Sequence, residues 1–144
     1  MRKKTSARIL AVQALYQLDL RGPGFLGELD EFLRSNAPDE EVRLFAEELV
    51  RGLHDQVKEV DAAIAGAAKN WDVSRMAAVD RAILRLGTYE LLHRPDVPPK
   101  VAINEAIRLA KMFSTADSGA FVNGVLDRIM TERLPPALST GVAP

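Results

Sequence analysis

Apolar residues recur along the chain at intervals of three and four positions, and no segment alternates apolar with polar residues as a strand does. This pattern predicts an all-α protein of about seven helices. The first helix runs through Ile9 and Leu18 to a Gly-Pro-Gly stretch at 22–24, with Thr5 or Ser6 as its expected N-cap. Apolar side chains cover most of its circumference, which indicates packing on more than one side.

Prolines and breaks in the apolar stripe separate the later helices. A short helix is expected to end near Asn36, and Pro38 opens a long helix whose stripe continues to Ile64. The pattern then breaks at 70–72 and resumes after a short turn. Helices are predicted over residues 77–93, 100–113 and 117–133.

These helices predict one domain over residues 1–133, made of two small bundles packed on each other. The N-terminal subdomain is expected to cover about 1–68, and the C-terminal subdomain about 70–133. The segment 134–144 contains prolines, serine, threonine and glycine, and it is expected to be a disordered tail.

The last predicted helix has two stripes. One has the spacing of a buried face, and the other lies beside it in helical projection. The first stripe consists of Val122, Val125, Leu126 and Ile129, and the second of Asp117, Phe121, Gly124 and Arg128. An exposed ring beside a small residue suits the stacking of an unpaired base, whereas the alternative is a ring packed against a neighbouring helix at the edge of the core.

Charge is unevenly distributed although the net charge is only −1. Residues 1–18 contain four basic and no acidic side chains, whereas residues 26–61 contain eleven acidic and four basic ones. This asymmetry favours a polyanion partner on the basic side. A solvated surface with a basic tail is the alternative.

Motifs for catalysis or metal binding are scarce. The sequence has no cysteine, and its two histidines, His54 and His93, have no second ligand at metal spacing. It also lacks HExxH, GxSxG and a Gly-rich phosphate loop, so we expect no enzyme, no metal and no cofactor.

No apolar run reaches about 18 residues and no signal peptide is visible, so a cytoplasmic protein without a membrane partner is expected.

Four side chains each have two interpretations. Trp71 lies where two helical segments meet, and this position favours a core role over stacking on a base. Arg81, Arg85 and Arg94 either contact a polyanion or pair with the acidic segment, and the sequence does not separate these interpretations.

Residues 100–113 and 117–133 also resemble a helix-turn-helix, whose second helix would enter the major groove of DNA. The leading residues of that helix, from Asp117 to Phe121, include no Arg, Lys, Gln or Asn to read base edges. Binding to duplex DNA is therefore disfavoured.

The chain contains three longer segments that support a more specific interpretation: ARILAVQALYQLD at 7–19, VDRAILRLGTYELLHRPDVPPKVAINEAIRLAK at 79–111 and DSGAFVNGVLD at 117–127. In this order and spacing they resemble the NusB family of bacterial transcription antitermination factors. The resemblance extends from the N-terminus to about Met130.

The resemblance implies an all-helical protein without catalytic activity that binds boxA, a single-stranded RNA element of ribosomal RNA transcripts. Binding occurs together with NusE, a small-subunit ribosomal protein. The complex joins NusA, NusG and RNA polymerase and suppresses premature, Rho-dependent termination. Some members of the family self-associate, so a homodimer is a further expectation.

The resemblance also assigns binding residues. RNA contacts fall to the basic arm with the first helix and to the start of the last helix: Arg2, Lys3, Lys4, Arg8, Gln13, Asp117, Ser118 and Phe121. A NusE contact falls to Asp80. Many relatives have a denser arginine cluster in the arm, so weaker affinity in the same mode is expected here. The alternative function is a helical protein-binding adaptor whose basic arm is merely solvated.

Overall fold

The computed structural model describes residues 1–135, and the chain divides into two compact units, residues 1–55 and the residues from 56 onward. Among the described residues there are seven α-helices, two 3₁₀ helices and no β-strand, which confirms the predicted all-α class. No helix in this part of the chain has the length and apolar character needed to cross a bilayer. Most of the predicted tail, residues 136–144, lies outside the described residues.

The first unit contains α1 (Lys3–Arg21), a 3₁₀ helix (Pro23–Glu28), α2 (Leu29–Asn36) and α3 (Glu40–Asp55). The predicted end of α2 near Asn36 is confirmed. α1 packs on α3, on α2 and on the 3₁₀ helix. Its buried side chains include three consecutive residues, 10–12, which no single helical face can present. The prediction that this helix packs on more than one side is therefore confirmed.

The predicted cap of α1 is wrong. The helix already begins at Lys3, and Arg2 occupies the N-cap position without a side-chain hydrogen bond. The backbone N–H of Ser6 donates to the carbonyl of Arg2 at 3.0 Å, so Thr5 and Ser6 lie inside the first turn. Thr5 is buried there instead of capping the helix.

The start of α3 is capped by Asp39. Its Oδ1 accepts hydrogen bonds from the backbone N–H groups of Glu41 at 2.9 Å and Val42 at 3.2 Å. The bond from the Val42 backbone and the hydrogen bond from Lys3 hold the pKa of the Asp39 carboxyl below its usual value. The Asp39 carboxylate is therefore charged at neutral pH, which suits the positive end of the helix dipole.

The prediction of one long helix from residue 38 to residue 64 is wrong, because the structure has two helices in this range. α3 ends at Asp55, and α4 (Val57–Ala67) follows a single non-helical residue, Gln56, with φ −111° and ψ 14°. α4 packs on α5 and α7 in the second unit, although the sequence grouped it with the N-terminal subdomain.

The second unit continues with a 3₁₀ helix (Val73–Arg75), α5 (Ala78–His93), α6 (Pro99–Phe113) and α7 (Ala116–Arg133). α5, α6 and α7 all pack on one another, and α4 covers α5 and α7. Ile83 and Leu126 are completely buried in this core, and each such side chain contributes about 1.5–3 kcal/mol through its removal from water. The core fixes which face of α7 remains outside.

Arg81, Arg85 and Arg94, which the sequence left open between a polyanion and internal pairing, have partners inside the second unit. Arg85 on α5 forms a two-pronged ion pair with Asp61 on α4, with both N–O distances 2.8 Å. Arg94 pairs in the same way with Asp96. Arg81 Nη1 donates to the carbonyls of Val73 at 3.1 Å and Met76 at 3.0 Å. The structure therefore favours internal pairing over contact with a polyanion.

Candidate functional site

A groove in the second unit gathers the predicted residues at the start of α7. The groove has a volume of about 550 Å³ and lies between the 70–77 segment and the first two turns of α7. It brings together residues that are far apart in the sequence. Its lining includes Asn70, Trp71, Asp72, Arg75, Met76, Ala77, Asp80, Asp117, Ser118 and Phe121.

The first turn of α7 is fixed by hydroxyl groups. Thr115 is the N-cap, and its Oγ1 accepts a hydrogen bond from the backbone N–H of Ser118 at 3.1 Å. The Ser118 hydroxyl lies 2.9 Å from that of Ser114 and makes a long hydrogen bond of 3.4 Å to Asp80 Oδ2. Asp117 is exposed on the same turn. These bonds position Ser118, one of the predicted RNA contacts.

For Trp71, the core role that the sequence favoured is wrong. It is not in the core, because 61% of its surface is exposed. Its ring lies 5.1 Å from that of Phe121, measured between centroids, with the two planes inclined at 58°. The half-buried Phe121 is thus neither a core residue nor an isolated exposed ring. It forms one aromatic surface with Trp71 along the groove.

The segment that carries Trp71 is held by specific hydrogen bonds. The Trp71 backbone N–H donates to the carbonyl of Ala68 at 2.9 Å. Asp72 Oδ1 accepts from the backbone N–H of Ser74 at 2.9 Å and from its hydroxyl at 2.7 Å, which caps the 3₁₀ helix. Arg81 binds the carbonyls at both ends of that helix, as described above. The exposure of Trp71 is therefore a property of an anchored segment.

The polar lining of the groove is mainly acidic. The charged residues of its lining are Asp72, Asp80, Asp117 and Arg75, and Arg75 Nε lies 3.8 Å from Asp72 Oδ2. The hydrogen bonds from Ser74 keep the pKa of the Asp72 carboxyl below its usual value, so this group is charged at neutral pH. Asp80 Oδ1 is buried and makes no hydrogen bond within the described part of the chain. Such a lining repels phosphate and attracts hydrogen-bond donors.

The basic arm lies on the first unit, and its charges are partly compensated there. Lys3 Nζ is 3.2 Å from Asp39 Oδ2 and 3.5 Å from Glu41 Oε2, at the start of α3. The hydrogen bond to Asp39, followed by the charges of both carboxylates, raises the pKa of Lys3. Arg2 and Lys4 are exposed.

The other two predicted contacts of α1 differ in exposure. Gln13 is exposed, but Arg8 is a buried side chain with 2% of its surface accessible. The guanidinium of Arg8 lies 5.6 Å from the centre of the Phe45 ring, and the ammonium of Lys4 lies 5.5 Å from the same centre. Arg8 is thus part of the interior of the protein, not of the surface that a polyanion can reach.

Neither Gly119 nor Gly124 on α7 is required by a close contact within the described chain. A Cβ at the buried Gly119 would lie 3.6 Å from Lys111 Cγ, which is an ordinary contact. A Cβ at Gly124 would meet nothing within 4 Å, so no neighbouring helix of the described chain requires a glycine there.

The exposure of Trp71 was not predicted, and a core role was favoured over stacking on a base, because a periodic pattern identifies only the buried faces of helices. One signal was present: Trp71 stands between Asn70 and Asp72, outside every apolar stripe. A tryptophan with polar neighbours on both sides in a break of the pattern is a candidate for exposure. Within residues 1–135, no group of three or more His, Cys, Asp or Glu side chains comes together to hold a metal ion.

Comparisons with known proteins identify a family. The model of the NusB family matches residues 5–131. The transcription antitermination protein NusB of Anaeromyxobacter dehalogenans strain 2CP-1 is 51% identical over 136 residues, which cover 94% of each chain. The solved structure of T. maritima NusB has a TM-score of 0.81 at 34% identity and covers 96% of each chain. A crystal structure of the antitermination factors NusB and NusE in complex with double-stranded RNA has a TM-score of 0.77 at 31% identity, covering 90% of this chain and 96% of that one.

Proposed function

Since the chain belongs to the NusB family, we propose that it is a transcription antitermination factor that binds boxA RNA together with NusE. It acts in the cytoplasm, in a complex with NusA, NusG and RNA polymerase that suppresses Rho-dependent termination of ribosomal RNA transcripts. The names of its relatives and the NusB–NusE–RNA complex among its structural neighbours support this proposal. The role is one of binding and assembly, with no catalytic step.

The observation that carries the proposal is the groove at the start of α7. Asp117, Ser118 and Phe121 line the same cavity, so one short segment presents an aromatic face, a hydroxyl and a carboxylate. A base of an unpaired strand uses all three, because its face stacks and its edge forms hydrogen bonds. In a duplex the base faces are covered by their neighbours, so this combination favours a single strand.

The exposed cations of the arm supply the second component of binding. Arg2, Lys3 and Lys4 contact phosphates, which position the RNA without reading its sequence. Gln13 adds an uncharged contact further along α1. Arg8, being buried, acts by holding α1 beside Phe45 and does not touch the strand. Asp80 lies in the groove beside Ser118, and its contact with NusE stays a prediction.

The second candidate function is a protein-binding adaptor. It is favoured by one observation, the pairing of Lys3 with Asp39 and Glu41, which reduces the positive charge that the arm offers to RNA. An adaptor of this kind would bind NusE without distinguishing one RNA from another.

A titration separates the two candidates. Labelled single-stranded boxA RNA and a scrambled strand of equal composition are titrated with the protein, with and without NusE, and Kd is measured by fluorescence anisotropy. We expect boxA to bind more tightly than the scrambled strand, with the larger difference when NusE is present. Equal affinity for both strands under both conditions would contradict the proposal and favour the adaptor.

A further inference from the structure

We infer that Trp71 is a base-stacking residue and that the groove beside it holds one unpaired nucleobase of the RNA strand. This inference rests on the proposed function and adds two things to it: a contact residue outside the α7 segment, and the chemical class of the group that enters the groove. That class is an aromatic base with amino or imino donors on its edge, as opposed to a phosphate.

Trp71 is exposed although it lies on an anchored segment. A tryptophan with 61% of its surface in water has given up most of the free energy that burial of its ring would provide. The hydrogen bonds to Ala68, Ser74 and Arg81 described above hold the segment in this position. Because the ring is already placed, a ligand that covers it loses little conformational entropy in the protein on binding.

The distance between the rings of Trp71 and Phe121 determines where a base can stack. A base inserted between two parallel rings needs about 7–8 Å from ring to ring, because each contact takes 3.5–4.0 Å. The Trp71 and Phe121 centroids are 5.1 Å apart and the planes are tilted, so the rings contact each other and leave no such gap. The base therefore lies against the open side of the aromatic pair, not between its members.

The charge of the groove suits a base better than a phosphate. Three carboxylates and one guanidinium line it, so a phosphate would be repelled, whereas amino and imino hydrogens find acceptors on Asp72 and Asp117. The low pKa of Asp72 keeps that acceptor charged at neutral pH. The aromatic surface and the carboxylate acceptors together form a site that suits a base. The phosphates of the same strand must therefore lie outside the groove.

The position of the only tryptophan allows a direct test by fluorescence. The chain contains one Trp, so the tryptophan emission of this chain, as distinct from that of its two tyrosines, reports on this groove alone. When wild-type protein with NusE is titrated with boxA RNA, we expect the Trp71-dependent emission to change and to saturate together with binding of a labelled strand. The emission that does not come from Trp71, including that of NusE, is measured in the same titration with the Trp71→Phe variant and subtracted. An emission that stays constant while the labelled strand saturates would overturn the inference.

Affinities of variants provide the second test. Trp71→Ala is expected to weaken boxA binding about ten-fold, and Trp71→Phe by less, because phenylalanine keeps a stacking face. The control is Leu44→Ala, which truncates an exposed apolar side chain on α3 and is expected to leave affinity unchanged. Circular dichroism melting shows that each variant folds. Wild-type affinity in folded Trp71→Ala would overturn the inference.

A scan with abasic nucleotides locates the base. Removing the base that stacks on Trp71 should weaken binding to wild-type protein and have little further effect on Trp71→Ala, because the two changes remove the same contact. If every abasic position costs the same in both proteins, the inference is overturned.

The outcomes also separate this inference from the proposed function. If wild-type protein with NusE does not prefer boxA, both fail. If it prefers boxA and Trp71→Ala does so equally well, only the inference fails. If Trp71→Ala weakens binding of NusE in the absence of RNA while RNA affinity is unchanged, the groove is a protein-docking site and the inference is again overturned.

Discussion

Phe121, the proposed stacking residue, owes its exposure to its position on α7. On α7 the neighbouring Val122, Val125 and Leu126 are buried, and Phe121 lies beside their stripe, half-exposed, where it contacts Trp71. The helical projection predicted this separation from the core. The contact with Trp71 could not be predicted, because it joins residues 50 positions apart through the packing of α4, α5 and α7.

Truncation of Phe121 tests its role at the residue scale. We predict that Phe121→Ala weakens boxA binding about ten-fold, because loss of one stacked base costs about 1–3 kcal/mol and 1.4 kcal/mol is a factor of ten. Phe121→Tyr keeps the ring and serves as the matched control. Kd is measured by anisotropy and folding by thermal melting. A folded Phe121→Ala protein with wild-type affinity would remove this residue from the site.

The two lysines of the arm differ in their surroundings, and this difference leads to a prediction. Lys4 should contribute about 0.7 to the slope of log Kd against log salt, the value for one phosphate contact on a single strand. Lys3 should contribute less, because Asp39 and Glu41 compensate its charge. Lys4→Gln should therefore flatten the slope more than Lys3→Gln, and replacing both should flatten it most.

The control for the arm is Lys58→Gln, an exposed lysine on α4 to which no RNA contact is assigned. Its salt slope should equal that of wild type. If the double variant of Lys3 and Lys4 also has the wild-type slope, the arm does not contact phosphates.

At the scale of elements, the sequence predicted helices well wherever a stripe ended at a proline or glycine. α6, for example, begins within one residue of the predicted position, and α5 ends at His93 as predicted. The break between α3 and α4 was missed because the apolar spacing of Leu53, Val57 and Val60 continues across it. A single residue, Gln56, leaves the helical conformation without any glycine or proline to signal it.

The packing of α5 on α7 gives a prediction for two glycines. A Cβ at Gly87 would lie 2.7 Å from Leu126 Cδ1 and 3.3 Å from Ala106 Cβ, whereas one at Gly124 meets nothing within 4 Å. Overpacking costs about 1–3 kcal/mol, and alanine gains about 1 kcal/mol over glycine inside a helix. We therefore predict that Gly87→Ala lowers the free energy of unfolding by about 1 kcal/mol and that Gly124→Ala raises it by up to about 1 kcal/mol.

Urea denaturation of both variants beside wild type measures these changes, and the two substitutions serve as controls for each other because both exchange glycine for alanine in a helix. If Gly87→Ala stabilises the protein as much as Gly124→Ala does, α5 and α7 do not approach each other as closely at Gly87 as the structure shows.

At the scale of the whole molecule, the charge asymmetry of the sequence has a partly internal explanation. Acidic side chains of residues 26–61 engage basic ones within each unit: Asp39 and Glu41 engage Lys3 in the first unit, and Asp61 engages Arg85 in the second. In the proposed binding mode, the exposed cations of the arm contact phosphates, and the acidic groove of the second unit receives a base. The fold and the family were predictable from local patterns and motifs, but this division of roles depends on distances that only the folded chain defines.

Recognition of an unpaired boxA strand is the property on which the proposed function depends. The most direct measurement is competition: the complex of protein, NusE and labelled single-stranded boxA is challenged with unlabelled boxA, with a boxA duplex and with the scrambled strand. We predict displacement at the lowest concentration by single-stranded boxA, with the duplex and the scrambled strand each requiring at least about ten-fold more, one stacked base being worth about 1–3 kcal/mol. Displacement by the duplex or by the scrambled strand at the same concentration as by boxA would contradict the account.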